Sequence, residues 1–237
     1  MNLEEAIFNI KEASQFEDLC LKIFDLQMNN NELYNKYAKA ILKNKLPNNI
    51  YEIPFLPIEF FKTHNIIKMD SEVEKTFYSS GTTNKKSKHL ITDLDIYKKS
   101  FVKNFNQIYG DPDNYMILAL LPSYLESKDS SLIYMVDSLI KKSKNKHSKF
   151  YNKNIEELHF DLCALEKKQK NILLFGVTYA LLDFAKQYPM KLKNTTIIET
   201  GGMKGKRKEI SKEEMYEILK KAFKLKDIHS EYGMTEL

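Results

Sequence analysis

A run of hydroxyl side chains around a single glycine is the first feature of this sequence that could do chemistry. The stretch TFYSSGTTNKKSKH, residues 76–89, holds the candidates Ser79, Ser80, Gly81, Thr82 and Thr83. A glycine lets the backbone turn sharply and approach a ligand closely, and hydroxyl and backbone N–H donors suit phosphate oxygens. The lysines that follow would raise the local potential for a polyanion. The stretch therefore indicates a phosphate-binding loop, and the alternative is a solvated hairpin turn.

The stretch does not match the P-loop of the nucleotide triphosphatases. That pattern requires Gly, four residues and then Gly-Lys-Ser/Thr at the start of a helix. Here the glycine is single, and the strand-like segment KHLIT follows the loop. If the loop binds phosphate, it does so in another structural setting.

Alternating strand-like and helix-like segments follow from Val73 onward. The strand-like segments are VEKTFY (73–78), YMILALL (115–121), ILLFGV (172–177) and TTIIET (195–200). Two of them are continuous apolar runs, as expected for strands buried on both faces. The pattern predicts an α/β fold with a largely parallel sheet and helices on both faces. Because ligands bind in the loops after such strands, the SSGTT loop would follow the carboxyl end of a sheet strand.

The first 45 residues predict a helical lead-in. Ser14 and Glu17 form a capping-box pattern at the start of a first long helix. The run NNN at 29–31 ends that helix, and ELYNKYAKAIL starts another. A second capping box, Ser211 to Glu214, precedes the last helix-like segment. The apolar residues expected on one face of the first long helix are Phe16, Leu19, Ile23 and Leu26.

Composition narrows the class of protein. Of 237 residues, 43% are hydrophobic and 29% charged, which is typical of a globular chain, and no apolar run approaches the ~20 residues of a membrane span. The net charge is +5, but Arg207 is the only arginine, and base readout and bidentate phosphate recognition rely on arginine. We therefore expect no nucleic-acid partner. Cys20 and Cys163 lack metal-type spacing, so we expect reduced, half-buried thiols in a cytoplasmic protein.

A second motif lies far downstream, in HSEYGMTEL at the end of the sequence. Tyr-Gly-x-Thr-Glu after Ser-Ser-Gly-Thr-Thr resembles the paired signature of the adenylate-forming enzymes, which activate a carboxylic acid as an acyl-AMP. The segment IPFLPIEFFKTHNI, residues 53–66, looks like one that precedes the serine-threonine loop in the LuxE acyl-protein synthetase family, near the phenylacetate–CoA ligases. ETGGMKGKR, residues 199–207, resembles the Gly-Gly stretch of both groups. The resemblance spans residues 53–237 and implies the adenylate-forming large-domain fold.

The resemblance implies a role for each motif residue. Residues 79–83 would wrap the β- and γ-phosphates of ATP, and Gly201 and Gly202 would let the backbone pass close to the adenine. Within the motif Tyr232, Gly233, Met234, Thr235 and Glu236, the tyrosine would stack on the adenine. Thr235 would then hydrogen-bond the α-phosphate, and Glu236 would hold Mg²⁺. Thr83, Thr235 and Glu236 are accordingly the candidate catalytic residues, together with His229.

Several candidates have an equally simple structural interpretation. His229 would lie near the acyl carboxylate, or it is a satisfied structural histidine. Lys204, Lys206 and Arg207 would contact phosphate or belong to a solvated loop. An acyl pocket or the core of the sheet would equally explain the apolar residues Phe175, Val177, Tyr179 and Leu182.

Two departures from the family pattern stand out. Asn84 replaces a glycine after Thr-Thr, and Asn tolerates left-handed backbone better than other non-glycine residues. Relatives also continue beyond the Tyr-Gly motif with a ribose-binding aspartate and a small mobile domain. We therefore expect residues 1–237 to be an N-terminal adenylation domain, with residues 1–45 as lead-in and the small domain absent from this chain.

The expected function is ATP-dependent activation of a carboxylic acid, in particular a fatty acid, as an acyl-adenylate. Acyl transfer to a protein or another nucleophile would follow. One alternative is a CoA ligase of the phenylacetate type, and another is a non-catalytic adenylate-binding or partner-docking domain. The acid, the acceptor and the oligomeric state stay open, because no motif encodes them.

Overall fold

The computed structural model describes residues 3–43, 45–79, 86–122, 129–152, 154–201 and 210–235. Contacts divide them into two compact units, one within Met1–Ser100 together with Met234–Leu237, the other within Phe101–Gly233. The sequence predicts one adenylation domain over residues 1–237, and that remains a prediction.

The first unit begins with helices, as the sequence predicts. These are α1 (Leu3–Phe8), α2 (Ala13–Asn30), α3 (Glu32–Leu42), a 3₁₀ turn (Ile50–Glu52) and the short α4 (Phe60–Thr63). Asn31 ends α2 and caps α3, because its side chain accepts a hydrogen bond from the Tyr34 amide over 3.1 Å. The asparagine break is therefore confirmed.

Two details of α2 differ from the prediction. The helix begins one residue before Ser14, so Gln15, not Glu17, accepts from the backbone amide of the N-cap residue Glu12, over 3.3 Å. The buried side chains are those of Leu19 and Phe24. Phe16 and Leu26 are exposed, because the Phe24 ring packs edge-on against Tyr34 of α3 and so sets which face of α2 is buried.

The strand predicted at residues 73–78 forms β1 (Lys75–Tyr78), which pairs antiparallel with β2 (Lys88–Ile91). These two strands make a sheet of their own. The expectation that the SSGTT loop follows a strand of the parallel sheet is thus wrong, and the loop joins the two strands of a hairpin.

The second unit contains a five-stranded parallel sheet flanked by helices, which confirms the α/β class. Its strands are arranged in the order β4-β3-β5-β6-β7. The predicted runs form its three central strands, and the two short edge strands were not predicted. Their bounds are β3 (Met116–Leu120), β4 (Lys149–Tyr151), β5 (Ile172–Gly176), β6 (Thr195–Glu199) and β7 (His229–Ser230).

Helix α5 (Leu94–Tyr109) precedes these strands along the chain. Four helices separate them: α6 (Ser131–Ser143), α7 (Ile155–Lys167), α8 (Thr178–Gln187) and α9 (Lys212–Phe223). Ser211 caps α9 by accepting from the Glu214 amide over 3.1 Å, as predicted. Met215, Leu219 and Phe223 form its buried face, and the Phe223 ring stacks on Phe184 of α8 at 5.5 Å.

The core of the second unit follows from the apolar runs. All residues of β3 and β5 are buried, as expected of a sheet covered on both faces. Burying one such side chain stabilises the fold by about 1.5–3 kcal/mol. At the amino end of β6, the Glu166 carboxylate accepts hydrogen bonds from the backbone amides of Lys193 and Asn194 and from the Thr195 hydroxyl. This carboxylate sets the position at which β6 enters the sheet.

Candidate functional site

In the first unit, the hairpin β1–β2 carries the serine-threonine loop. The Ser79 amide donates to the Ser87 backbone oxygen over 2.9 Å, and the Ser87 amide donates to Ser79 Oγ over 3.0 Å. Ser79 is half-buried and Ser87 fully buried. Two hydrogen bonds between Ser79 and Ser87 therefore join the two strands at the base of the loop.

A contact within this unit links the hairpin to the distant Tyr-Gly motif. Nδ1 of His89 on β2 donates to the backbone oxygen of Thr235, 2.8 Å away and 146 residues along the chain. The carbonyl can only accept, so the proton of this bond is on Nδ1. The rings of His89 and Phe61 of α4 pack nearly perpendicular to each other, with centroids 5.9 Å apart. Thr235 and the hairpin strand after the SSGTT loop are thus direct neighbours.

In the second unit, two motif segments follow adjacent strands. Glu199 ends β6 and pairs in register with Ser230 of β7. The Glu231 amide donates to the backbone oxygen of Glu199 over 2.8 Å, so the chain stays paired beyond β7. Gly201 has a φ of +77°, a left-handed conformation that favours glycine. The segments after β6 and β7 therefore leave the sheet side by side at its carboxyl edge, where parallel α/β sheets bind ligands.

The carboxylate of Glu199 is buried at this edge. It accepts hydrogen bonds from the Thr178 hydroxyl at the start of α8, from the Gly201 amide and from the Ser230 hydroxyl. The Tyr216 hydroxyl of α9 in turn donates to Ser230 Oγ over 3.0 Å. One side chain thereby connects α8, the segments after β6 and β7, and, through Ser230, α9.

A second carboxyl group lies beside it. Burial, reinforced by the negative charge of Glu199, raises the pKa of Glu231 to about 6. A Cβ on Gly233 would lie 2.8 Å from Glu231 Oε1, so glycine leaves room for this carboxyl. Glu231 is therefore a group that can exchange a proton near neutral pH at the edge of the sheet.

The Tyr-Gly motif begins with an exposed tyrosine. The Tyr232 side chain is 84% exposed, so a planar ligand could stack on its ring without displacing core residues. Met234 and Thr235 are half-buried. An exposed aromatic ring of this kind can stack on a nucleotide base.

His229 has a partner within the second unit. The Tyr109 hydroxyl and His229 Nδ1 share a hydrogen bond over 2.7 Å, and the two rings lie 5.7 Å apart. Burial, reinforced by the nearby Tyr115, raises the pKa of Tyr109, so its hydroxyl stays protonated and can donate. This contact agrees with the structural interpretation of His229, and its proposed hydrogen bond to an acyl carboxylate stays a prediction.

The apolar residues considered for an acyl pocket all belong to the core of the second unit. Phe175, Val177, Tyr179 and Leu182 are buried in one cluster with the central strands. This burial favours the core interpretation. Cys20 and Cys163 are free and half-buried, and Cys163 Sγ lies 3.8 Å from the nearer ring nitrogen of His159.

Some predicted site residues lie outside the described residues: Ser80, Gly81, Thr82, Thr83, Gly202, Lys204, Lys206, Arg207 and Glu236. Within the described ranges, no group of three or more His, Cys, Asp or Glu side chains could hold a metal ion. Mg²⁺ commonly uses one or two carboxylates together with substrate phosphates. Such a site needs no protein cluster, and its predicted ligand Glu236 is outside those ranges.

The buried network was not predicted from the sequence, although one signal points to it. Glu199 is a charged residue at the end of the apolar strand TTIIE, where a further apolar side chain would be expected. Thr178, Ser230 and Tyr216 carry no such signal, because their hydrogen-bond partners are known only once the strands are paired.

The chain matches no protein-family model and no curated protein sequence. Among the helices of the described residues, none is both long and apolar enough to cross a membrane.

Proposed function

We propose that this chain activates a carboxylic acid with Mg·ATP to give an acyl-adenylate. It would belong with LuxE-like acyl-protein synthetases, with the adenylate-forming large-domain fold. The observation that carries the proposal is the hydrogen bond from His89 to the Thr235 backbone oxygen. A plain solvated hairpin turn predicts no contact with a segment 146 residues away, whereas a paired phosphate-binding signature requires one.

The serine-threonine loop and the end of the Tyr-Gly motif would act on the phosphates. Backbone N–H groups and hydroxyls of residues 79–83 would bind the β- and γ-phosphates and stabilise the charge of departing pyrophosphate. The Thr235 hydroxyl would donate to the α-phosphate. Glu236 would hold Mg²⁺, which offsets phosphate charge during attack by the acid.

Tyr232 and the Gly-Gly segment would act on the base. Tyr232 presents an exposed ring for stacking, and Gly201 turns the neighbouring backbone without a side chain in the way. Gly202 would continue this close approach. The pairing of these two segments at the carboxyl edge of the sheet supports a common role in nucleotide binding.

We propose a fatty acid as substrate and a protein nucleophile as acyl acceptor, with CoA as the competing acceptor. The reaction would take place in the cytoplasm, where the free cysteines Cys20 and Cys163 stay reduced.

Pyrophosphate exchange tests the proposal. The chain is incubated with Mg²⁺, ATP, labelled pyrophosphate and a panel of fatty and aryl acids, and acid-dependent label in ATP is expected. Thr235→Ala should lower exchange by about 10²-fold while the protein stays folded, because alanine retains the backbone oxygen that His89 contacts. The control Thr63→Ala alters an exposed threonine of α4 and should exchange like wild type.

The outcomes separate the alternatives. Acyl-CoA formation from free CoA would indicate a CoA ligase. Binding of AMP with background exchange for every acid would indicate a non-catalytic adenylate-binding domain. If neither binding nor exchange is detected, the proposed function is wrong.

A further inference from the structure

Glu199 is an unexpected residue for its position. It is 4% exposed and ends a strand whose other residues are mostly buried. A buried carboxylate is costly unless hydrogen bonds compensate for the lost water. The described partners of its carboxylate are all neutral donors, the Thr178 hydroxyl, the Gly201 amide and the Ser230 hydroxyl.

The partners share a location. Glu199 Oε1 accepts from the Gly201 amide over 2.6 Å, which draws the left-handed turn after β6 back onto the strand. Oε2 accepts from the Ser230 hydroxyl over 3.2 Å. The backbone oxygen of the same residue accepts from the Glu231 amide. Glu199 therefore contacts both segments at the carboxyl edge of the sheet. One is the turn at Gly201, and the other is residues 230 and 231, which directly precede Tyr232.

We propose that Glu199 is a positioning residue, whose carboxylate holds the Gly201 amide and the Ser230 hydroxyl, and with them the turn after β6 and the end of β7, in the path that binds a nucleotide. The inference rests on the proposed function for its ligand. Its physical basis is preorganisation, because a segment fixed before binding loses less conformational entropy when the ligand arrives. Thr178 and Tyr216 extend the same network into α8 and α9.

Glu166 provides a matched control. It is also a glutamate that accepts from backbone amides and a threonine hydroxyl, but at the amino end of β6. Both variants, Glu199→Gln and Glu166→Gln, replace one acceptor oxygen by an amide donor. A purely structural role predicts that both variants change stability alone, whereas the positioning role predicts an effect on binding from Glu199→Gln only.

The test measures AMP affinity by calorimetry at a temperature where every variant is folded. We expect Glu199→Gln to weaken AMP binding at least about tenfold and Glu166→Gln to bind like wild type. Ser230→Ala, which removes one donor and leaves the carboxylate, should give a smaller loss, and it carries the test if Glu199→Gln does not fold. Wild-type affinity in the Glu199→Gln protein, or an equal loss in the Glu166→Gln protein, would overturn the proposal.

Amide hydrogen exchange separates this inference from the proposed function, because it needs no ligand. In Glu199→Gln the Gly201 amide should exchange faster than in wild type, and the Leu173 amide in the central strand should not change. If wild type does not bind AMP but Gly201 exchange responds in this way, the proposed function fails, whereas the ordering of the Gly201 turn by Glu199 is supported. Unchanged Gly201 exchange overturns the positioning role whatever the protein binds.

Discussion

The backbone amide of Glu231 donates to the backbone oxygen of Glu199 over 2.8 Å, so two carboxyl side chains leave neighbouring strands at the same edge. The Glu199 carboxylate accepts hydrogen bonds from neutral donors. Burial and the charge of Glu199 accordingly raise the pKa of Glu231 to about 6. The folded state therefore binds a proton here that the unfolded chain would release at lower pH.

Stability should depend on this proton. Because the folded pKa is above the ordinary value of 4.5, the free energy of unfolding should fall as pH rises from about 4.5 to about 6. Above that window Glu231→Gln should be more stable than wild type by up to about 2 kcal/mol, and below it the two should agree. Urea unfolding at pH values on both sides of the window measures the difference.

The control for this pH dependence is Glu217→Gln, which alters an exposed glutamate of α9. Its stability difference from wild type should be small, because the side chain is 78% exposed. If the free energies of unfolding of Glu231→Gln and wild type differ by the same amount at every pH in the window, the raised pKa of Glu231 is wrong.

Tyr232 offers a separate test of nucleotide binding. Removing its ring in Tyr232→Ala should weaken AMP binding by about tenfold or more, since stacking of a base on an aromatic ring contributes ~1–3 kcal/mol. The melting temperature should not change, because the ring is 84% exposed. Tyr51→Ala removes a ring that is 90% exposed, and calorimetry should show wild-type affinity for it. If wild type, Tyr232→Ala and Tyr51→Ala bind AMP equally well, Tyr232 does not contact the base.

Glu166 should matter for stability. Glu166→Ala leaves the backbone amides of Lys193 and Asn194 and the buried Thr195 hydroxyl without their acceptor, and should lower the free energy of unfolding by about 1.5–3 kcal/mol. Chemical denaturation measures the loss. Lys167→Ala, an exposed neighbour in α7, should be close to wild type. A Glu166→Ala protein as stable as that control would show that these bonds contribute little.

Gly176 should resist substitution for a packing reason. A Cβ at this position would lie 2.6 Å from Cγ of the fully buried Leu181. Gly176→Ala should therefore destabilise the fold by about 1–3 kcal/mol. In a double-mutant cycle with Leu181→Ala the two losses should not add, because the second change removes the clash. If the losses of Gly176→Ala and Leu181→Ala add, the destabilisation by Gly176→Ala does not come from a clash with Leu181.

Much of the second unit could be predicted from local sequence. The runs in β3 and β5 are apolar throughout, so only a strand buried on both faces suits them, and Ser211 with Glu214 determines where α9 starts. In the first unit, the asparagines at 29–31 end α2 for a similar local reason. These features depend on neighbours within a few residues.

The remaining features depend on partners far along the chain, and only the tertiary structure decided them. The short alternating strand at 75–78 suits a parallel sheet or a hairpin equally well, and pairing with β2 selects the hairpin. Strand β7 has two residues, too few for any period. The hydrogen bond between His89 and Thr235 and the network of Glu199 join segments whose proximity no spacing encodes. Sequence patterns report which face of an element is buried, whereas hydrogen-bond partners are selected by the packing of whole elements, since each buried polar group must find a partner there.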